Sequence, residues 1–329
     1  MTRLARHDRI AAALAGASDD VLTAARPLGR GIGGSTWELA VAGEPVFVKR
    51  VALTDVERRH EGSTADLYGL PPWFHYGVGS AGGGAWRELA AHRRANDWVR
   101  TGQCENFPLL HHWRVLPGLP RPRTDRARDI AFWHDDPGVR RRLEALDSAT
   151  ADLVLFLEHI PHTLAQWLDD RPGDLGLAHR DLRGITEFLA AQGIQHFDAH
   201  FTNTLTDGER LYLTDFGLAV FPEFELSAAE AEFLATHATH DRAYVLTHLV
   251  NTIVRKLVEE PDYRLRHAFV RECAAGRVVP GLPPAEAELL SRYAPVAAVV
   301  NEFYVALHGE SRKTPYPAGE IARRLADAG

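Results

Sequence analysis

The sequence predicts an α+β chain of two lobes, an N-terminal antiparallel sheet with one helix followed by a larger, mostly helical part. Two observations carry this prediction. Residues 25–53 alternate β-branched and polar positions around glycine-rich turns, whereas from Ser227 onward alanine, leucine and valine recur at the spacing of buried helical faces. With 329 residues, 45% of them hydrophobic and 25% charged, the chain can build two cores without disulfide or metal staples. The predicted division is a helical extension over 1–24, an N-terminal lobe over 25–160 and a C-terminal lobe over 161–329.

Taken in order, residues 5–24 have the spacing of an amphipathic helix. Arg3, Arg6 and Arg9 precede an alanine-rich stretch soon interrupted by Asp19 and Asp20, which is not the apolar core of a signal peptide. Two strands follow around Ala42-Gly43-Glu44. The stretch 54–84 ends in Gly77, Gly79, Gly82, Gly83 and Gly84 without clear periodicity, and reads as an inserted loop. Trp86, Leu89, Ala90 and Trp98 then place a helix over 85–99. Strands are predicted at 107–115 and 153–157, flanking a charged insertion over 116–150, with His111 and His112 on opposite faces of the first. Helical spacing returns at 164–168 and 182–192. A small hairpin is expected around Thr206-Asp207-Gly208-Glu209, and proline breaks near 280 and 315 divide the helices that follow. Trp73, Phe74, Tyr76 and Trp133 in the two insertions would either cover a site or pack on the lobe.

Composition excludes several classes. A net charge of -7 gives no electrostatic pull toward nucleic acid, and the seven arginines of 121–142 alternate with Asp125, Asp129, Asp135 and Asp136 as on a solvated surface. No run approaches the roughly 20 apolar residues that span a bilayer, so no membrane partner is expected. Cys104 and Cys273 stand far apart, which points to a cytoplasmic protein rather than a disulfide framework. Arginines outnumber lysines 34 to 3, and Lys49 is the sole lysine of the first 255 residues. A compact ammonium on a flexible stem suits phosphate contact or proton chemistry, the alternative being chance survival of one lysine.

Lys49 follows Leu28-Gly29-Arg30-Gly31-Ile32-Gly33-Gly34-Ser35, in which Gly29, Gly31 and Gly34 fit G-x-G-x-x-G. A flexible turn and a dinucleotide site are open readings, but the latter needs a helix directly after the glycines, and strand-like residues follow instead. Bared backbone N–H groups can close over phosphates that Lys49 neutralises. A second constellation is His196-Phe197-Asp198-Ala199-His200-Phe201-Thr202-Asn203, with Asp215-Phe216-Gly217 after the hairpin. Phosphoryl transfer needs an acceptor-facing carboxylate and oxygen ligands for magnesium, and H-x-D-x-x-x-x-N with a downstream D-F-G supplies all three.

Over roughly residues 25–255 the chain resembles the protein kinase and aminoglycoside phosphotransferase superfamily. The resemblance implies a bilobal protein-kinase-like fold binding ATP and Mg2+. Asp198 would orient or accept the proton of the attacking hydroxyl, Asn203 and Asp215 would hold magnesium, and Lys49 the α- and β-phosphates under Gly29, Gly31, Gly34 and Ser35. Glu88 would pair with Lys49, with Glu57 or Glu61 as competitors, and adenine would meet a hinge at Glu158, His159 and Ile160. His196 and Asp241 would support the catalytic loop. His179-Arg180-Asp181-Leu182 reads literally as a kinase motif, but Thr186 stands where asparagine is needed, so the segment is taken as a helix start with Asp181 in its first turn.

A small-molecule acceptor is expected over a protein. His200 follows the D-x-H-x-x-N pattern of antibiotic and choline-type kinases, Phe197 replaces the arginine of regulated protein kinases, and only 23 residues separate Gly217 from Asp241. The full D-F-G-L-A favours the alternative, a bacterial-type Ser/Thr protein kinase. A pseudokinase and a His/Asp transition-metal enzyme, built on His196, Asp198, His200 and one of His237, His240 or His248, are lesser alternatives. His237 and His240 are expected as polar positions on a helix. Between 221 and 329 there are 15 acidic and 12 basic residues, too even a balance to name a cationic acceptor.

Overall fold

The structure, a computed structural model, describes residues 1–31, 34–77, 79–121, 125–171, 175–259 and 262–329. Ile32 and Gly33 of the glycine motif and Val78 of the first insertion lie outside the described residues. The chain is α+β, with a five-stranded antiparallel sheet in its N-terminal half and mostly helices in its C-terminal half. It divides into two compact units, residues 1–161 with 214–231, and residues 162–213 with 232–329. The segment 214–231, which carries D-F-G, therefore belongs with the sheet and not with the helices that surround it in sequence.

In the first unit, α1 (Arg3–Gly16) precedes the strands β1 (Arg26–Gly31), β2 (Gly34–Val41) and β3 (Glu44–Leu53). The short α2 (Asp55–Arg59) and α3 (Ala85–Arg100) lead to β4 (Leu110–Pro117), α4 (Ala127–Phe132), α5 (Pro137–Asp147) and β5 (Ala151–Glu158). The sheet order is β1-β2-β3-β5-β4. Alternation along β3 and β5 sorts side chains between two layers. Val51, Leu53, Leu153, Leu155 and Leu157 pack on Trp86 and Leu89 of α3, while Val46, Val48, Val154 and Phe156 pack on Ile10 and Leu14 of α1. Lys49 lies opposite Thr36 and Leu155 and so belongs to the α3 face, whereas Arg50, opposite Ser35 and Val154, belongs to the α1 face.

Both insertions are structured. Phe74 from a 3-10 turn (Pro72–His75), Ile130 and Trp133 from the α4 region, and Val139 and Leu143 of α5 form one buried cluster, so these aromatic residues pack within the unit. The expected split of His111 and His112 does not occur. The β4–β5 register shifts between Leu110 and His112, and such an extra residue breaks strict alternation. His111 Nδ1 meets His7 Nδ1 at 2.9 Å, and His112 packs 6.0 Å from Phe156, both on the α1 side.

In the second unit, β6 (His162–Thr163) pairs with β7 (Thr204–Thr206), and β7 with β8 (Leu211–Leu213), around α6 (Leu164–Asp170) and α7 (Leu175–Ala191). Asp181 sits inside α7 rather than in a first turn, and its carboxylate accepts from Leu211 N at 2.9 Å, tying helix to hairpin. After α8 (Ala228–Thr236) come α9 (His240–Leu257), α10 (Tyr263–Ala274), α11 (Pro284–Gly309) and α12 (Ala318–Ala328). Apolar residues at three- and four-residue spacing in α9 and α11 bury each other, and Asn251 and Asn301 exchange amide hydrogen bonds of 2.9 and 3.0 Å. No helix among the described residues is long and apolar enough to cross a membrane.

Candidate active site

On the α3 face of the sheet, Lys49 Nζ lies 2.6 Å from Glu88 Oε1 and 2.8 Å from Asp215 Oδ1. Burial alone would lower the lysine pKa, but the two carboxylates, Asp215 before Glu88, hold it above its ordinary value. The Glu88 pKa is raised, first by burial and then, against the lowering pull of Lys49, by the charge of Asp215. Two acids thus share one base.

Glu88 reaches Lys49 because the first insertion fixes α3. Gly84, the N-cap of α3, has no side chain to cap it, and Glu57 substitutes: its Oε1 accepts from Ala85 N at 2.8 Å. Its Oε2 accepts from Thr54 N and Oγ1, and Arg142 pairs with it at 3.0 Å. Burial would raise the Glu57 pKa, but Arg142 and these bonds hold it lowered. Glu57 is thereby withdrawn from competition for Lys49, and Glu61 has no bond to the lysine. The role of Glu57 was missed in the sequence, although Thr54-Asp55-Val56-Glu57 is a capping-box pattern.

The D-F-G segment is clasped by the same insertion. Gly83 N donates to Gly217 O at 2.9 Å, and His75 Nδ1 lies 3.1 Å from Leu218 O. Gly82 (φ 80°) must be glycine, since a Cβ would stand 2.9 Å from Gly217 O. His92 of α3 meets the Phe216 ring edge-on at 4.9 Å, and Arg87 binds Glu230 at 2.6 Å. Burial would raise the Glu230 pKa, but His75 and Arg87 hold it well below the carboxylate range. Asp215 itself adopts φ 64°, ψ 72°, a left-handed conformation costing a non-glycine residue about 1 kcal/mol.

Of the glycine motif, Gly34 (φ 142°) is demanded by packing, because a Cβ would stand 2.2 Å from Arg50 O. At Gly31 nothing lies within 4 Å, so its missing side chain has no packing cause. Ser35 shares the face of Arg50 and points away from that of Lys49. Glu158 is engaged by Arg3 at 2.7 Å and by Leu109 N at 3.1 Å, so its carboxylate serves the fold, while Ile160 is half-buried just beyond β5.

In the second unit the loop 195–203 is built around Asp241. This fully buried carboxylate accepts from the N–H groups of His196 and, at 2.9 Å, Phe197. Burial opposes the charge, but His240 and His196 hold the pKa lowered. Phe197 adopts φ 62°, and these bonds over-determine that conformation immediately before Asp198. Asn203 Nδ2 donates to Asp198 Oδ2 at 2.9 Å and to Asp198 O at 3.1 Å. His196 Nδ1 accepts from Asp198 N at 3.3 Å, and His200 Nε2 lies 3.6 Å from Asp198 Oδ1.

A scan against protein-family models and a search of curated proteins both find no match for this chain.

His237 and His240, expected as polar helical positions, lie in the interior. Both are buried, His237 stacked on Phe233 at 3.9 Å and His240 bonded to Tyr304 Oη at 2.9 Å. Among the described residues no three His, Cys, Asp or Glu side chains group so as to hold a metal ion. Tyr244, absent from the sequence reading, is half-buried, and desolvation followed by the charges of Asp198 and Asp241 raises its phenol pKa.

Proposed function

We propose that the chain has a protein-kinase-like fold and is an ATP- and magnesium-dependent phosphotransferase acting on a hydroxyl of a small molecule. The observation that carries this reading is Lys49 held by both Glu88 and Asp215, with Asp198 braced by Asn203 and Asp241 on a separate loop. In this reading Lys49 neutralises phosphate oxygens, and Asp198 takes or orients the proton of the acceptor hydroxyl. Asn203 fixes the Asp198 carboxylate through its amide and offers Oδ1, and Asp215 offers its carboxylate. Magnesium, when bound, would offset phosphate charge.

The small-molecule reading draws support from the stretch after D-F-G. The 3-10 turn Phe216–Leu218 is followed by α8 from Ala228, which leaves little chain for a peptide-docking segment. His200, near Asp198, occupies the position where Ser/Thr protein kinases place lysine.

The test is incubation of the purified protein with Mg-ATP and, separately, a library of hydroxylated metabolites and antibiotics or generic protein acceptors, read by mass spectrometry beside Asp198→Ala. Phosphorylated small molecules that vanish in the variant are expected. Phosphoprotein alone would replace the acceptor class, and no ATP binding with no product would overturn the reading.

A further inference from the structure

A cavity of about 1130 Å³ lies in the first unit, lined on one side by Gly29, Gly31 and Gly34 and on the other by the 116–150 insertion. Its volume suits an organic ligand rather than scattered water. The β-sheet side chains that line it include Ser35, Trp37 and Arg50, which share the α1 face, while Lys49 belongs to the α3 face and does not line it. This is a different face of the glycine hairpin from the one the phosphotransferase reading uses.

The chemistry of the lining has a sign. Arg50 Nε and Arg121 Nη2 both bind the buried carboxylate of Asp152, two guanidiniums on one acid. Further donors of each go to backbone carbonyls, Pro117 O for Arg50 and Ala149 O for Arg121. A guanidinium has five N–H donors, and Nη1 of Arg50 and Nε of Arg121 meet no acceptor among the described residues. Arg126 is neutralised by Asp147 and Asp129 at the far wall, whereas Arg128, also lining the cavity, has no ion pair there. The apolar part of the lining includes Trp37, Trp133 and Leu146.

We propose that this cavity is a second binding site, for an organic anion with an apolar body, its carboxylate, sulfonate or phosphate meeting Arg50 and Arg121 and its body lying against Trp37 and Leu146. Guanidiniums in a partly buried setting make charge-assisted, paired bonds to such groups, and the apolar wall selects against simple inorganic anions. Neither Lys49 nor Asp198 lines this cavity, although Gly29, Gly31, Gly34 and Ser35 of the glycine hairpin do.

The probe is anilinonaphthalene sulfonate, titrated by fluorescence into the full chain without nucleotide, beside the uncharged phenylnaphthylamine. One saturable site is expected, with the neutral compound about tenfold weaker. Arg121→Gln with Arg128→Gln should weaken the sulfonate about tenfold while leaving the neutral compound unchanged. Leu146→Glu, which places a charge against the body, should weaken both, and Asp198→Ala neither. Circular dichroism melts verify that each variant is folded. Equal binding of sulfonate and neutral probe, equal binding by wild type and the arginine variant, or non-saturating fluorescence would each overturn the proposal. So would complete exclusion of the probe by Mg-ATP, which would make the cavity the nucleotide site itself.

Discussion

Glu57 accepts a hydrogen bond from the backbone N–H of Ala85 at 2.8 Å and so closes the N-terminus of the helix that delivers Glu88 to Lys49. Removing this carboxylate also strands the buried guanidinium of Arg142. Glu57→Ala is expected to cost about 3–5 kcal/mol in urea unfolding, the range for breaking one half of a buried pair. Adding Arg142→Met should recover a large part of that loss, and strict additivity of the two changes would contradict the pairing.

Lys49→Met should leave a folded protein, because Glu88 can neutralise itself by protonation in the burial that already raises its pKa. If the proposed activity holds, kcat/KM should fall by about 10²- to 10³-fold, the scale of losing one preorganised charge contact. Steady-state kinetics on the acceptor found by mass spectrometry would measure it, and a variant with unchanged kcat/KM would remove Lys49 from the site.

Asp241→Asn keeps the shape of the side chain but replaces one accepting oxygen by an amide that cannot accept. One of the N–H groups of His196 and Phe197 then loses its partner, at a cost of about 1–3 kcal/mol. The loss should be local first. Amide exchange at Phe197 and Asp198 is expected to accelerate more than exchange in the α9–α11 core, and uniform acceleration would refute the bracing role.

The buried pair His7 and His111 makes the seating of α1 pH-dependent. Burial comes first in lowering both pKa values, with His111 down to about 3; Arg3 presses on both and Arg100 on His7, while Asp8 and Glu158 act oppositely on His7. A depressed histidine pKa favours the neutral folded form. Its stabilisation is present above the unfolded value of about 6.5 and is lost as pH falls toward the folded value. Between pH 6 and 5 the loss from His111 should approach about 1.4 kcal/mol per pH unit, on the order of the linkage slope, with His7 acting in the same direction. His112, His179, His248, His267 and His308 are lowered too, so the diagnostic quantity is the difference from His7→Phe/His111→Phe, which should flatten the profile in that window.

Strong periodicity made the sheet and α3 legible, and the motif spacing singled out Asp198 and Asn203, which the structure joins by a hydrogen bond. What escaped has physical reasons. The helices at 55–59, 127–132 and 137–147 are too short or too charged to show a period, and Arg142 is buried despite its charge because Glu57 neutralises it. His237 and His240 were read by their polarity, but their rings stack with Phe233, Tyr244 and Tyr316 and behave as core aromatics. The Glu88–Lys49 pair was expected from the resemblance and is present, but what removes Glu57 as a competitor, its bonds to Ala85, Thr54 and Arg142, is three-dimensional and not expressed by spacing.

The return of 214–231 to the first unit also orders events during synthesis. The surfaces of Trp98, Phe107 and His92 that receive Phe216 and Phe221 are made early, yet the residues that cover them leave the ribosome only after the 162–213 segment has been translated. The N-terminal unit cannot finish folding as a simple leading domain. A nascent chain stalled near residue 161 should hold these aromatic surfaces open, and one released past 231 should close them.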